Sequence, residues 1–489
     1  MTDVDRFALI LLASAGAGLL IIASSRLTAR IRVPLPAIVL VGSAAVAALV
    51  PSLRAPSRPI DVDIVTVALI AILFDGGMSI GWRAFRSAVV PIALAGIVGT
   101  FATAVAAAGV VRVVVGAGWY AALLLATAVA PTDPTVVFSV LGNRRVGGRS
   151  GTIIQGESGA NDPVGIALMA SLLAAGGISG SGVAHVAVEF VVQMAVGLAV
   201  GVAGGRLLLV FMRRVPLPGG GLYPLRTLAS AFLLYGAATV AHGSGFLAVF
   251  IAGITIGDAR APFKREIERF HDALSSLGEI VAFIALGLTV DLGTEARTDV
   301  WVPGVVIGLA LMVLIRPLLV GLSLAPVRLR RNERAFILFA GLKGAVPILL
   351  AGYLLTAHVP AARRLYGIVV VVVLFSVVVQ GGLVGTFARL VHLPMEVVPP
   401  EPWALGVRLR DRPSGVYRLQ VGEDAPVAGH TVAELPGLPE GAWITLLVRD
   451  GRLLAVRGST RLEPGDDVTV LAAADDGEQL SAAFGQHRG

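Results

Sequence analysis

Two short stretches decide how this chain folds: Ala130-Pro131-Thr132-Asp133-Pro134 and Gly341-Leu342-Lys343-Gly344-Ala345-Val346-Pro347. Each interrupts an apolar run, 119–141 and 334–355, with helix breakers and a charge at mid-depth. Proline removes a backbone hydrogen bond, and backbone left unpaired in a bilayer is tolerated only where protein buries it or it lines a cavity. A bilayer core about 30 Å thick takes roughly 20 apolar residues per helix. Thirteen runs meet that length approximately: 5–24, 33–50, 63–80, 88–111, 119–141, 151–176, 183–211, 225–242, 244–258, 271–291, 300–322, 334–355 and 365–388. The ninth is short enough to suggest a re-entrant segment. The interrupted runs are the fifth and the twelfth, seven places apart, so runs one to six and eight to thirteen read as inverted halves with their breaks at equivalent places. Such a pair of breaks marks the binding site of a transporter.

Composition agrees. Of 489 residues, 56% are hydrophobic and 15% charged, with a mean hydropathy of +0.84, whereas soluble chains carry about 25% charged residues. A water-soluble fold is excluded. The net charge of +7 does not imply nucleic acid, because its placement follows the membrane. Twenty Lys and Arg, Arg144, Arg145, Arg149, Lys264 and Arg265 among them, fall in or beside the loops of one side, against seven on the other. The positive-inside rule then puts the N-terminus outside and the C-terminus in the cytoplasm of a multi-pass protein of the plasma (inner) membrane. Asp3 and Asp5 beside Arg6 do not make the basic start of a signal peptide, so Phe7 to Ser24 reads as a retained span. With no cysteine, disulfides and thiolate chemistry drop out.

Beyond Leu393 the texture changes to a Pro-rich linker, 394–412, with Pro394, Pro399, Pro400 and Pro402. A polar segment, 413–489, follows. Val416–Val421, Trp443–Val448, Leu453–Val456 and Asp467–Ala472 read as strands, with Asp450-Gly451 as a hairpin turn. The expected architecture is an all-α polytopic membrane domain, 1–393, followed by a small α+β cytoplasmic domain.

Seven ionisable side chains stand deep in the spans: Asp75, Asp133, Glu157, Asp162, Glu279, Arg316 and Lys343. Each is expensive there and usually faces a polar pathway. Five acids cannot all pair with two bases, which leaves carboxylates that must hold a proton or a bound cation. Glu279 reads as the most structural of them. In Gly156-Glu157-Ser158-Gly159-Ala160-Asn161-Asp162-Pro163, Ser158 and Asp162 are four apart and share a helix face, as do Glu157 and Asn161. One face offers hard oxygen donors suited to sodium or potassium; the neighbouring carboxylate suits a pairing with Arg316 or Lys343.

Together Thr132-Asp133-Pro134, Gly156-Glu157-Ser158 with Asn161-Asp162, and Gly341 to Pro347 resemble the monovalent cation/proton antiporter-1 family, its NhaP-like branch, across the membrane region. The tail from about Val416 to Ala472 resembles a TrkA C-terminal (RCK C-terminal) regulatory module, a combination that resembles the potassium/proton subgroup. The resemblance implies an NhaA/NhaP-like fold of two crossing broken helices and a secondary transporter with no cofactor, usually a homodimer, with a small regulatory ligand at the tail. It implies that Asp162 alternately carries a monovalent cation or a proton, that Thr132, Ser158 and Asp133 line the site, that Asn161 bridges the broken helices, and that Asp75 stands near. An Asn-Asp pair implies electroneutral exchange. It also implies that a span-twelve base holds Glu157, although Lys343 stands where relatives usually have Arg, and Arg316 is the other candidate.

Two other classes share some of these features. Gly156-Glu157-Ser158-Gly159 with Ala241-His242-Gly243-Ser244-Gly245 also fits the motifs of rhomboid-like serine proteases, but a Ser-His dyad gives no reason for five intramembrane acids. A channel would use polar pore residues without needing a titrating carboxylate at a helix break. Between cations, potassium is favoured by the tail alone and sodium is the alternative.

Overall fold

The structure is a computed structural model describing residues 34–49, 59–141, 144–146, 149–177, 180–289, 298–397, 415–439, 441–449, 452–472 and 476–487. The chain divides into two compact units, 1–398 and 399–489. The first expected span, 5–24, lies outside the described residues.

Helices occupy the other expected spans. They are α1 (Leu35–Leu49), α2 (Pro59–Ala93), α3 (Gly99–Val115), α4 (Trp119–Val129), α5 (Thr135–Leu141), α6 (Arg149–Ala175), α7 (Gly180–Arg214), α8 (Leu222–Val240), α9 (Gly245–Gly257), α10 (Lys264–Thr289), α11 (Thr298–Ala310), α12 (Arg331–Phe339), α13 (Val346–Thr356), α14 (Ala362–Phe375) and α15 (Gly381–Leu390). Among the described residues, five helical runs are long and apolar enough to cross a membrane, and four apolar helices are shorter. The third and fourth expected spans run on without a loop between them. They are separated by a sharp break at Gly81 (φ 68°, ψ 166°), where any side chain would strike Asp258; Asp258 in turn accepts from the Arg83 amide at 2.6 Å.

Wider π-turns at Leu94–Val98, Leu311–Val320 and Ser376–Gln380 extend α2, α11 and α14. Such turns accompany functional positions, and here they carry Arg316, Ser376 and Gln380. The short ninth span is one uninterrupted helix of 13 residues, about 20 Å at 1.5 Å per residue. Its length is offset by close packing, because Gly77 of α2 and Gly253 and Gly257 of α9 each sit where a Cβ would overlap the partner's backbone. Small residues at a crossing let helices approach this way. A short antiparallel ribbon, β1 (Arg144–Val146) with β2 (Met395–Val397), completes the unit.

The second unit is a five-stranded antiparallel sheet, order β5-β4-β6-β3-β7, from β3 (Gly415–Val421), β4 (Trp443–Arg449), β5 (Arg452–Leu454), β6 (Asp467–Ala472) and β7 (Gly485–His487). Burial alternates along β6, with Val468, Val470 and Ala472 turned inward. Helix α16 (Gly477–Phe484) adds Leu480 and Phe484 to a core with Leu419, Val427 and Leu447. Neither α16 nor β7 was expected from the sequence.

Candidate functional site at the crossing of the broken helices

Helix α4 ends at Val129 and α5 begins at Thr135; α12 ends at Phe339 and α13 begins at Val346. The unwound stretches between them touch, the Asp133 amide donating to the Leu342 carbonyl at 2.8 Å. Contact this close depends on Gly344, where a Cβ would lie inside the Asp133 side chain. Four helix ends thus meet in the membrane interior, two with unpaired carbonyls and two with unpaired amides.

Each carbonyl end is met by a cation. Lys343 Nζ donates to the carbonyls of Ala130 at 2.8 Å and Pro131 at 3.1 Å, at the end of α4. Arg316 donates from Nε to Leu338 at 2.9 Å and from Nη2 to Ile337 at 3.0 Å, at the end of α12. Gln380 Nε2 takes the Phe339 carbonyl at 2.8 Å. A positive charge at a helix C-terminus opposes the helix dipole. At the amide end of α5, Asp133 Oδ1 accepts from the Thr135 amide at 2.9 Å and from the Thr135 hydroxyl. Its carboxylate also faces the Ala345 amide before α13.

Of the two bases the sequence offered for Glu157, Lys343 of span twelve and Arg316 of span eleven, the structure gives the place to Arg316, whose Nη1 and Nη2 reach Oε1 and Oε2 of Glu157 at 2.7 and 3.0 Å. The planar guanidinium matches both carboxylate oxygens and still has donors for two carbonyls, which an ammonium does not. Gly341 makes the room, since a Cβ there would overlap the guanidinium. Lys343 is meanwhile occupied by the α4 carbonyls.

The remaining acids gather around a cavity of about 100 Å³ whose walls include Asp75, Asp133, Ser158, Asp162 and Glu279. Among the described residues, its lining contains no Lys or Arg. Ser158 and Asp162 both face it, as their four-residue spacing predicts, while Glu157 points to Arg316. Asn161, Asp162, Ser158 and Thr132 are all buried. Asn161 Nδ2 donates to Thr132 Oγ1 at 2.7 Å, joining α6 to the first break, and its Oδ1 is buried with no partner. Thr132 is therefore brought to Asn161 and is not among the cavity walls. Glu279, read from the sequence as structural, is in the wall. Sequence reasoning passed over Thr135, Gln155 and Ser275, which also line the cavity; the signal for Thr135 was its place two residues after Asp133 at a helix start.

Crossed broken helices with opposed charges at their ends, enclosing an acid-lined cavity, define a secondary cation/proton transporter and not an enzyme. Residues 16–390 match the family described as sodium/hydrogen exchanger, transmembrane, and residues 416–485 match the TrkA-C domain. The chain belongs to the sodium/hydrogen exchanger family. It is 32% identical over 426 residues to the K(+)/H(+) antiporter NhaP of Alkalimonas amylolytica, covering 86% of this chain and 73% of that one. It is 33% identical over 433 residues to the K(+)/H(+) antiporter NhaP2 of Shewanella sp. (strain ANA-3), with the same coverage. The Na(+)/H(+) antiporter NhaH of Halobacillus dabanensis is 30% identical over 286 residues, covering 53% of this chain and 66% of that one. The fold is that of the sodium proton antiporter MjNhaP1 from Methanocaldococcus jannaschii, at a TM-score of 0.65 and 20% identity, over 76% of this chain and 99% of that structure.

Proposed function

We propose that this chain exchanges potassium for protons, one for one, with Asp162 as the carboxylate that holds either ligand. The observation that carries the reading is the shared cavity of Asp162 and Ser158, walled by further acids and, among the described residues, by no Lys or Arg. Buried oxygens of a carboxylate and a hydroxyl can replace part of the hydration shell of a monovalent cation. The same carboxylate oxygen takes a proton when the cation leaves, so the two ligands compete. Asp133, held by the two helix starts, supplies a fixed negative field. Asn161 is oriented by Thr132, which stands behind the site, and Asp75 faces the same cavity from α2. Arg316–Glu157 and Lys343 are structural: they hold the helix ends while the site changes its occupant.

Potassium is favoured because the two NhaP-type relatives named for it align over 86% of this chain, against 53% for the relative named for sodium. Sodium is the second reading, supported by the NhaH relative. The proposal includes an N-terminus outside and a C-terminus in the cytoplasm of the plasma (inner) membrane, a transport domain over 1–393, a linker over 394–412, a regulatory domain over 413–489 that takes a small ligand, and a homodimer. Proton-driven fluorescence dequenching in everted vesicles, titrated with potassium, sodium and lithium chlorides, tests the cation. Half-maximal response at lower potassium than sodium supports the reading, and the reverse order transfers it to sodium.

A further inference from the structure

The acid-lined cavity is not closed off by apolar side chains alone. A second cavity, of about 290 Å³, lies between α1, α5 and α10 and shares three wall residues with it: Thr135, Phe138 and Glu279. Its other walls are mostly apolar, with Leu35, Val39 and Phe283 among them, and among the described residues Glu279 is the one ionisable residue lining it. The described part of α1 contributes no titratable group. Glu279 thus stands in the partition between the two spaces, facing Asp75, Asp133 and Asp162 on the inner side.

Its hydrogen bonding is half finished. Oε1 is buried and has no partner, a costly condition for a carboxyl oxygen unless water or a proton completes it. The Thr135 side chain reaches the same carboxyl, and Thr135 Oγ1 already gives its one proton to Asp133 Oδ1. The Thr135 side chain thus stands between the Glu279 carboxyl and Asp133 in the wall that the two cavities share.

We infer that Glu279 is the proton's way station between the Asp162 cavity and the outer cavity. Water in the inner cavity, which is large enough and polar enough to hold it, takes a proton from the Asp162 carboxyl as the cation arrives and delivers one to Oε1 of Glu279. Glu279 releases a proton to water in the outer cavity and returns to its starting state. Only O–H bonds are made and broken, and the cation replaces the departing charge at Asp162. The inference rests on the reading of Asp162 as carrier.

Full-length wild type, Glu279→Gln, Glu279→Asp and Asp162→Asn are compared in proteoliposomes for cation-dependent proton flux across pH, and in detergent for thermal stabilisation by added cation. Glu279→Gln keeps the shape and loses the proton. Its maximal flux should fall several-fold with an altered pH profile, while cation stabilisation at alkaline pH stays as in wild type; Glu279→Asp should restore part of the flux. Wild-type flux and pH profile in Glu279→Gln overturn the relay and leave Asp162 untouched, and so does loss of cation stabilisation, which would make Glu279 a ligand. Continued exchange by Asp162→Asn overturns the carrier reading whatever Glu279 does. If Glu279→Gln fails to insert, Ile280→Trp narrows the outer cavity with Glu279 in place; slowed flux supports the relay, and wild-type flux overturns it.

Discussion

Arg316 and Glu157, 159 residues apart in sequence, meet as a guanidinium fork on a carboxylate, with Nη1–Oε1 at 2.7 Å and Nη2–Oε2 at 3.0 Å. Both side chains are nearly inaccessible, and Arg316 spends its other donors on the carbonyls closing α12. Every charge in the pair is matched, which is the condition under which a buried ion pair is tolerable.

Removing one partner should therefore be severe. Arg316→Ala leaves Glu157 uncompensated and two helix-end carbonyls unpaired, a loss of about 3–5 kcal/mol. Arg316→Lys should recover little, because one ammonium cannot serve two carboxylate oxygens and two carbonyls together. Thermal unfolding of the purified variants checks this; wild-type melting of Arg316→Lys would show that the fork geometry is dispensable.

Lys343 should behave differently from Arg316. It neutralises the end of α4 by donating to Ala130 and Pro131, so Lys343→Met, similar in length without the charge, should lose about 1–3 kcal/mol from two unsatisfied buried carbonyls. A double variant with Glu157→Gln separates the roles. If Lys343 acts on the helix end and not as the Glu157 partner, the two losses should be close to additive, and a strong rescue would contradict that assignment.

The breaks were legible because Pro131 and Pro134, and Gly341, Gly344 and Pro347, cluster helix breakers beside a charge at mid-depth of two apolar runs. Helical spacing likewise placed Ser158 and Asp162 on one face. The partner of Glu157 was not legible: span eleven and span twelve each offered one base, and only the path of the chain decides which reaches it. Lys343 is captured by carbonyls whose exposure is itself a product of the break. What Glu279 faces was not legible either, because Thr135 and Asp133 lie far from it in sequence, at the start of α5 and in the break before it. In the tail, the alternation in β6 announced itself, whereas α16 and β7 are short and pack on or pair with the sheet.

Gly344 is the contact point of the two breaks. Gly344→Ala should push Asp133 away from the second break and cost more than the usual change of about 1 kcal/mol between these residues in a helix. The direction is also opposite to that ordinary preference, in which Ala is the better residue. Loss of exchange together with a lower melting temperature is expected; a stabilised, fully active Gly344→Ala protein would contradict the close approach.

In the tail, burial pushes the Asp466 carboxyl up, but hydrogen bonds from Arg449 (2.7 and 2.9 Å) and from the Glu463 amide (2.8 Å) outweigh it and hold the group below its ordinary value. A carboxyl lowered on folding stabilises fully above the unfolded value near 4 and loses that contribution as pH falls through the folded value. Arg449→Ala should weaken protection of β3 and β6 amides at neutral pH, by about 1–3 kcal/mol, and by less below pH 4. Hydrogen exchange on the full-length protein measures it. An effect independent of pH would remove Asp466 from the explanation.

Asp162→Asn is the substitution on which the account turns, because an amide fits the same space and can neither ionise nor exchange a proton. The decisive measurement is cation-dependent proton movement in proteoliposomes holding equal amounts of inserted wild type or Asp162→Asn. The wild-type protein should show apparent cation affinity that improves with pH until Asp162 is fully ionised, and the variant should show no cation-dependent proton flux at any pH. Robust exchange by Asp162→Asn would contradict the assignment of the carrier.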